Sequence, residues 1–67
     1  MKPWTVTLRY PQDIVLLNKD FETAVDENHS TTRRFMPAGT KFKAVGRVGH
    51  HEPSTVVEFE DQFWSIG

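Results

Sequence analysis

The stretch Lys41-Phe42-Lys43-Ala44-Val45-Gly46-Arg47-Val48 decides the fold class, because apolar and charged side chains alternate along it. Alternation at every second residue is typical of a β-strand with one buried and one solvated face. A second segment, Val56-Val57-Glu58-Phe59, shows the same period after a short loop at residues 49–54. We therefore predict that these two strands pair antiparallel.

The alternation also predicts which residues face one another across this hairpin. Ala44 opposite Phe59 would lie on the buried face, and Lys43 opposite Glu60 would form a charge pair on the solvated face. A shift by one residue would turn every side chain to the other face, so the pattern restricts the register.

The rest of the chain supplies further strand signals and one long polar segment. Alternation over residues 4–10 predicts an N-terminal strand, and the apolar run 14–17 predicts a strand buried on both faces. Residues 19–32 are mostly polar and predict a long surface loop, with room for a short strand at 21–25. No segment has the apolar spacing of an amphipathic helix, so we expect an all-β fold without a substantial helix.

One motif resembles a known fold family. Phe35-Met36-Pro37-Ala38-Gly39-Thr40-Lys41-Phe42, followed by Val56-Val57-Glu58-Phe59, is similar to the bend and return strand of SH3-like small barrels. The resemblance covers roughly residues 13–67 and implies one barrel of about five to six antiparallel strands, with residues 19–32 as its long first loop. Peptide-binding SH3 domains carry an Ala-Leu-Tyr-Asp-Tyr motif in that loop, and this chain does not.

Length and composition limit the class of protein. The 67 residues form a single domain, 1–67, because so short a chain cannot divide its apolar residues between two cores. The formal charge is −1, so the net charge favours no particular class of binding partner. The chain has no cysteine, so we expect no disulfide and no thiolate site. No apolar run is long enough for a membrane span, and we expect a cytoplasmic protein with no membrane partner.

The pattern provides little apparatus for catalysis. Neither a nucleophile elbow nor a phosphate-binding glycine loop is present, and we expect no enzyme activity and no cofactor. His50-His51-Glu52, with His29 elsewhere, suggests imidazole ligands. Neighbouring residues seldom converge on one ion, so we expect solvated histidines and no metal site.

Our first hypothesis is a non-catalytic protein-binding module that uses loops on a rigid scaffold. A Met-initiated frame of this size is typical of small phage or mobile-element accessory proteins that bind and modulate, or inhibit, a host macromolecule. Trp4 and Trp64 are the candidate aromatic anchors; for Trp64 the reason is that Phe63 and Trp64 are neighbours and point to opposite faces. The candidate binding residues are Glu22, Asp26, Glu27, His29, His50, His51 and Trp64.

Two alternatives stay open. A nucleic-acid-binding barrel would use five cations, three of them on one strand face, unless Glu58 and Glu60 neutralise them across the strands. These cations are Arg33, Arg34, Lys41, Lys43 and Arg47. A structural or assembly component would associate by pairing exposed edge strands, and the sequence leaves the oligomeric state open.

Overall fold

The structure, a computed structural model, describes residues 2–49, 51 and 53–67. Six β-strands and no helix occur in this part of the chain. The strands are β1 (Trp4–Thr7), β2 (Gln12–Leu17), β3 (Arg33–Met36), β4 (Lys41–Val48), β5 (Ser54–Phe59) and β6 (Gln62–Ile66). The predicted all-β fold is confirmed. Among the residues described, no helix is long and apolar enough to cross a membrane.

The six strands form one antiparallel sheet in the order β1-β4-β5-β6-β2-β3. The sheet is not closed: β1 and β3 are its two edges, and no Cα atom of one lies within 8 Å of a Cα atom of the other. The structure therefore does not show the expected barrel closure. The physical reason is that β1 pairs with residues 41–44 of β4 and so occupies the edge that β3 would need.

One face of the sheet curls around the main core. Trp64, Ile14 and Val57 are fully buried there, and the two edge strands contribute to the same core through Trp4 of β1 and Met36 of β3. The buried members of this cluster are Leu8, Ile14, Phe42, Ala44, Val57, Trp64 and Ile66. Because both edges pack against one core, the sheet is strongly curved although its edges do not pair.

The opposite face has a smaller apolar cluster. Val56 follows Val57 in β5, so its side chain points to the other face, and it too is fully buried. Leu17 is buried on this face, opposite Phe63 of β6. The ring of Phe21, from the segment between β2 and β3, packs edge-on against Phe63 with ring centroids 4.9 Å apart. Burial of β2 on both faces is therefore confirmed.

The β4–β5 register differs from the predicted one. Lys43 pairs with Glu58 and Ala44 with Val57, after which the register shifts at a β-bulge and Gly46 pairs with Val56. The predicted pairs, Lys43 with Glu60 and Ala44 with Phe59, are displaced by two residues. The even displacement keeps Lys43 solvated and Ala44 buried, but beyond the bulge the side chains of β4 exchange faces.

Candidate recognition surface

The predicted long loop contains a tight turn directly after β2. We name residues 18–22 turn A. The side-chain Oδ1 of Asn18 accepts hydrogen bonds from the backbone N–H groups of Asp20 (2.8 Å) and Glu22 (3.1 Å). The backbone N–H of Asn18 donates to the carbonyl of Glu22, and that of Phe21 donates to the carbonyl of Asn18. Phe21 completes the turn at a φ of 64°, in the left-handed region.

Eight positions further along the chain the same turn occurs again. We name residues 26–30 turn B. The Oδ1 of Asp26 accepts from the backbone N–H groups of Asn28 (2.8 Å) and Ser30 (2.9 Å). The backbone N–H of Asp26 donates to the carbonyl of Ser30, and that of His29 donates to the carbonyl of Asp26. His29 has a φ of 61°, matching Phe21.

Each turn is closed by one antiparallel bridge. Leu17 pairs with Thr23 around turn A, and Val25 pairs with Thr31 around turn B. The predicted short strand at 21–25 is not present; residues 23 and 25 make these isolated bridges only. Asn and Asp suit the first position of such turns because their short side chains bond to the backbone two residues on. Side-chain and main-chain hydrogen bonds thus order most of the segment between β2 and β3.

The two turns differ in what surrounds them. Phe21 is half-buried against Phe63, and a Cβ atom placed on Gly46 would lie 3.8 Å from its ring. Every residue of turn B is exposed, and Val25, immediately before it, is 56% exposed. Turn A is therefore fastened to the sheet, whereas turn B projects an ordered backbone into solvent.

The structure brings some of the predicted binding residues together. Asp26, Glu27 and His29 all lie in turn B, while Glu22 is exposed at the end of turn A. His51 is exposed in the separate loop between β4 and β5. The predicted residue His50, like Glu52, lies outside the described residues. Turn B is thus the part of the expected surface that forms one contiguous group.

The predicted aromatic anchor Trp64 is not on the surface. Trp64 is 1% exposed, and its Nε1 donates a hydrogen bond of 3.0 Å to the carbonyl of Phe59. The reason is its register: Trp64 pairs with Leu16 and Val57, whose side chains face the main core. Trp4 is half-buried against the same core. The expectation of an exposed Trp64 is therefore wrong, whereas Trp4 keeps part of its surface exposed.

Two other aromatic residues are exposed instead. Tyr10 is 61% exposed beyond the end of β1, and Phe35 is 65% exposed on the edge strand β3. The sequence reasoning missed both. A usable signal was present for Phe35, because Met36 follows it and strand neighbours point to opposite faces; once Met36 packs on the core, Phe35 must point away.

Arg34 packs over two aromatic side chains at the main core. Its guanidinium lies 5.4 Å from the ring centre of Phe59 and 5.3 Å from that of Trp64, within cation–π range. Its Nη1 also lies 2.6 Å from Oε1 of Glu60. Glu60 and Asp61 form the β5–β6 turn, both at positive φ (53° and 63°). Arg34 is therefore engaged within the chain.

The other predicted basic residues do not form one stripe. The Lys43 Nζ lies 3.6 Å from Oε2 of Glu58, and Lys41 Nζ donates to Oγ1 of Thr7 at 3.3 Å. Arg47 pairs with Thr55, beyond the bulge, and so projects to the face opposite Lys43. The expectation that Lys41, Lys43 and Arg47 share a face is wrong, because the extra residue in β4 reverses the alternation.

A hollow of about 210 Å³ opens beside β1. Its lining includes Val6, Leu8, Arg9, Tyr10, Gln12 and Ile66. The described part of the chain contains no group of three or more His, Cys, Asp or Glu side chains arranged to hold a metal ion. Of the predicted binding residues, Asp26, Glu27 and His29 lie together in turn B, which is therefore the candidate recognition element.

Comparison with protein-family models, with curated proteins and with solved structures gives no match to this chain.

Proposed function

We propose that the chain is a non-catalytic protein-binding module that presents turn B to its partner. The observation that carries the proposal is that one hydrogen-bonded turn occurs twice and only turn A is used for packing. An ordered, exposed turn loses little conformational entropy when a partner binds it. Loops held by a rigid scaffold are common binding elements.

The chemistry of turn B favours a protein surface as partner. Asp26 uses Oδ1 for its own backbone, which leaves the side chains of Glu27, Asn28 and His29 exposed for polar contacts. Val25 adds exposed apolar area next to them. A mixed acidic, polar and apolar group of this kind suits a protein partner better than a nucleic acid, whose phosphates would repel Glu27.

We also propose that the fold of the chain is related to that of SH3-like barrels. Its support is the curvature of the sheet, whose edge strands both reach the main core, and the bend at residues 37–40, where the Thr40 hydroxyl donates to the Pro37 carbonyl at 2.7 Å. We place the protein in the cytoplasm, as a small phage or mobile-element accessory protein that binds and modulates a host macromolecule.

Affinity capture from host lysate tests the proposal with two matched variants. Glu27→Ala/Asn28→Ala removes side chains of turn B but keeps the Asp26 hydrogen bonds; Lys19→Ala/Asp20→Ala makes the equivalent change in turn A. We expect the parent and the turn A variant to capture the same protein in the presence of nuclease, and the turn B variant to lose at least tenfold of it.

Two results would contradict this proposal. Equal capture by both variants would exclude turn B as the binding element. Capture that disappears with nuclease would favour the nucleic-acid alternative, which would then rest on Arg33 and Arg47. Neither of these makes an ion pair within the described residues.

A further inference from the structure

The outer edge of β3 has unpaired backbone groups at two alternate residues. The Leu16 N–H donates to the Thr32 carbonyl, so the even-numbered residues of this segment direct their backbone groups toward β2. Arg33 and Phe35 therefore direct their N–H and C=O groups away from β2, to the side where none of the described strands lies. This edge can accept another strand through the main chain of these two residues.

The side chains of the same two residues lie on the face of the sheet opposite the main core, which we call the outer face. Arg33 pairs with Val15 and Phe35 with Asp13, so the two rows read Val15–Arg33 and Asp13–Phe35. Phe35 is the most exposed of the large apolar residues described, at 65%. Neither Arg33 nor Asp13 makes a salt bridge within the described residues. The edge thus combines an exposed ring, a cation and a nearby carboxylate.

We propose that the partner of this edge is a second copy of the chain, joined β3 to β3 antiparallel about a two-fold axis at Arg34. In this register Arg33 lies opposite Phe35 of the partner subunit, and the reverse pair forms on the other side of the axis. Each Arg33 side chain can lie over the partner's ring and extend toward the carboxylate of Asp13 of the partner subunit beyond it. The main chains form four hydrogen bonds, all from outward-facing groups.

The neighbouring registers are poorer for physical reasons. A shift that sets Arg33 opposite its own copy puts like charges face to face. A shift that sets Phe35 opposite its own copy brings Arg33 opposite Pro37, which has no N–H to donate. The two copies of Arg34 do meet at the axis in the proposed register, but each is on the core side and is paired with Glu60.

The other edge of the sheet offers no comparable match. In β1 the outward-facing residues are Thr5 and Thr7, since the Leu8 N–H donates to the Thr40 carbonyl and sets the alternation. Neither residue carries a charge or a ring. Pairing of β1 with β3 would also be head-to-tail and would form rings or open chains of more than two copies, whereas β3 with β3 closes as a dimer.

Sedimentation equilibrium tests the dimer, with a substitution of the exposed residue Phe35 as the test and one of the exposed residue Tyr10 as the control. Four-residue edges bury less area than stable interfaces do, so we expect a weak dimer whose average mass rises toward two chains between roughly 10 μM and 1 mM. Phe35→Ser should raise the dimer dissociation constant at least tenfold, and Tyr10→Ser should leave it unchanged. A parent that stays monomeric over this range, or a mass that grows beyond two chains, would overturn the proposal.

Disulfide trapping tests the register, since the chain has no cysteine of its own. In an equal mixture of Arg33→Cys and Phe35→Cys chains, the proposed heterodimer sets the two thiols opposite each other and keeps one Arg33–Phe35 pair. We expect the mixed disulfide to exceed its statistical share under a mild thiol redox buffer. An excess of either homodimeric disulfide would identify a shifted register and overturn the two-fold axis at Arg34.

Discussion

Turn A and turn B have the same pattern of hydrogen bonds, one closing bridge each and a left-handed residue at the equivalent position, yet only turn A packs against the sheet. In turn A the left-handed residue is Phe21, whose ring packs on the outer face of the sheet. In turn B it is His29, which is exposed. The comparison teaches that local hydrogen bonds determine the shape of a turn, while a single side chain determines whether the turn stabilises the fold or is presented to solvent.

The left-handed conformation makes this comparison measurable. A residue with a Cβ atom is strained there by about 1 to 2 kcal/mol, and glycine is not. For Phe21 the burial of the ring offsets the strain. His29 is exposed, so its strain is retained without comparable burial. The same substitution should therefore act with opposite sign in the two turns.

The largest effect is expected for Phe21→Gly. The change removes a half-buried ring that covers Gly46 and Phe63, and the relief of backbone strain compensates only in part. We expect the free energy of unfolding to fall by about 2 kcal/mol. Urea unfolding measures it. An unchanged midpoint would mean that turn A is not fastened by this ring.

Loss of the turn side chains should separate a global effect from a local one. Asn18→Ala should lower the free energy of unfolding by about 1 kcal/mol, because turn A opens only when its packing is lost. Asp26→Ala removes the same two hydrogen bonds from turn B, which can open while the sheet stays folded.

Amide hydrogen exchange distinguishes these two cases. For Asp26→Ala we expect faster exchange at Asn28 and Ser30 with an unchanged urea midpoint. If Asp26→Ala lowered the midpoint as far as Asn18→Ala does, turn B would be part of the cooperative unit, and the contrast between the turns would fail.

A smaller effect of opposite sign is expected for His29→Gly. Glycine removes the strain at a φ of 61° but adds about 0.5 to 1 kcal/mol of backbone entropy cost. The net gain in stability should be about 0.5 kcal/mol, read as a rise in the melting temperature of a few degrees for a domain of this size. A lower melting temperature would indicate that His29 makes a stabilising contact.

The smallest effect is expected at Gly46, beneath turn A. A Cβ atom there would lie 3.8 Å from the Phe21 ring, an ordinary contact, so Gly46→Ala should change stability by no more than about 0.5 kcal/mol. Gly39→Ala is the control, since Gly39 has a φ of 86° and should lose about 1 kcal/mol. A large loss for Gly46→Ala would show that Phe21 lies closer to the sheet than described.

Much of the fold could be predicted because the alternation of apolar and polar residues and the positions of turn-forming residues act locally. The alternation in residues 41–48 and the apolar run 14–17 correspond to β4 and the buried part of β2. The exact register could not be predicted, because a β-bulge adds one residue without any change in the apolar pattern before it.

The candidate site could be predicted only in part for a related reason. Polar composition identified the segment that contains turn B. The sequence did not show that turn B repeats turn A, because the two turns share little sequence identity and their first residues, Asn18 and Asp26, are alike only in the hydrogen bonds that they accept. Trp64 and Phe63 could not be told apart, because either neighbour could face the core. The register with Leu16 and Val57 selected Trp64.

Local patterns in the sequence were enough to predict that this chain is all-β, approximately where β1, β2, β4 and β5 lie, and that one polar segment separates β2 from the strands after it, because side-chain alternation and turn-forming residues act over a few neighbouring positions. The local patterns did not indicate that β1 and β3 remain unpaired edges, that Arg34 packs on Phe59 and Trp64, or that turn A is packed while turn B is exposed. These features depend on contacts between residues far apart in the chain, and no local pattern specifies such contacts.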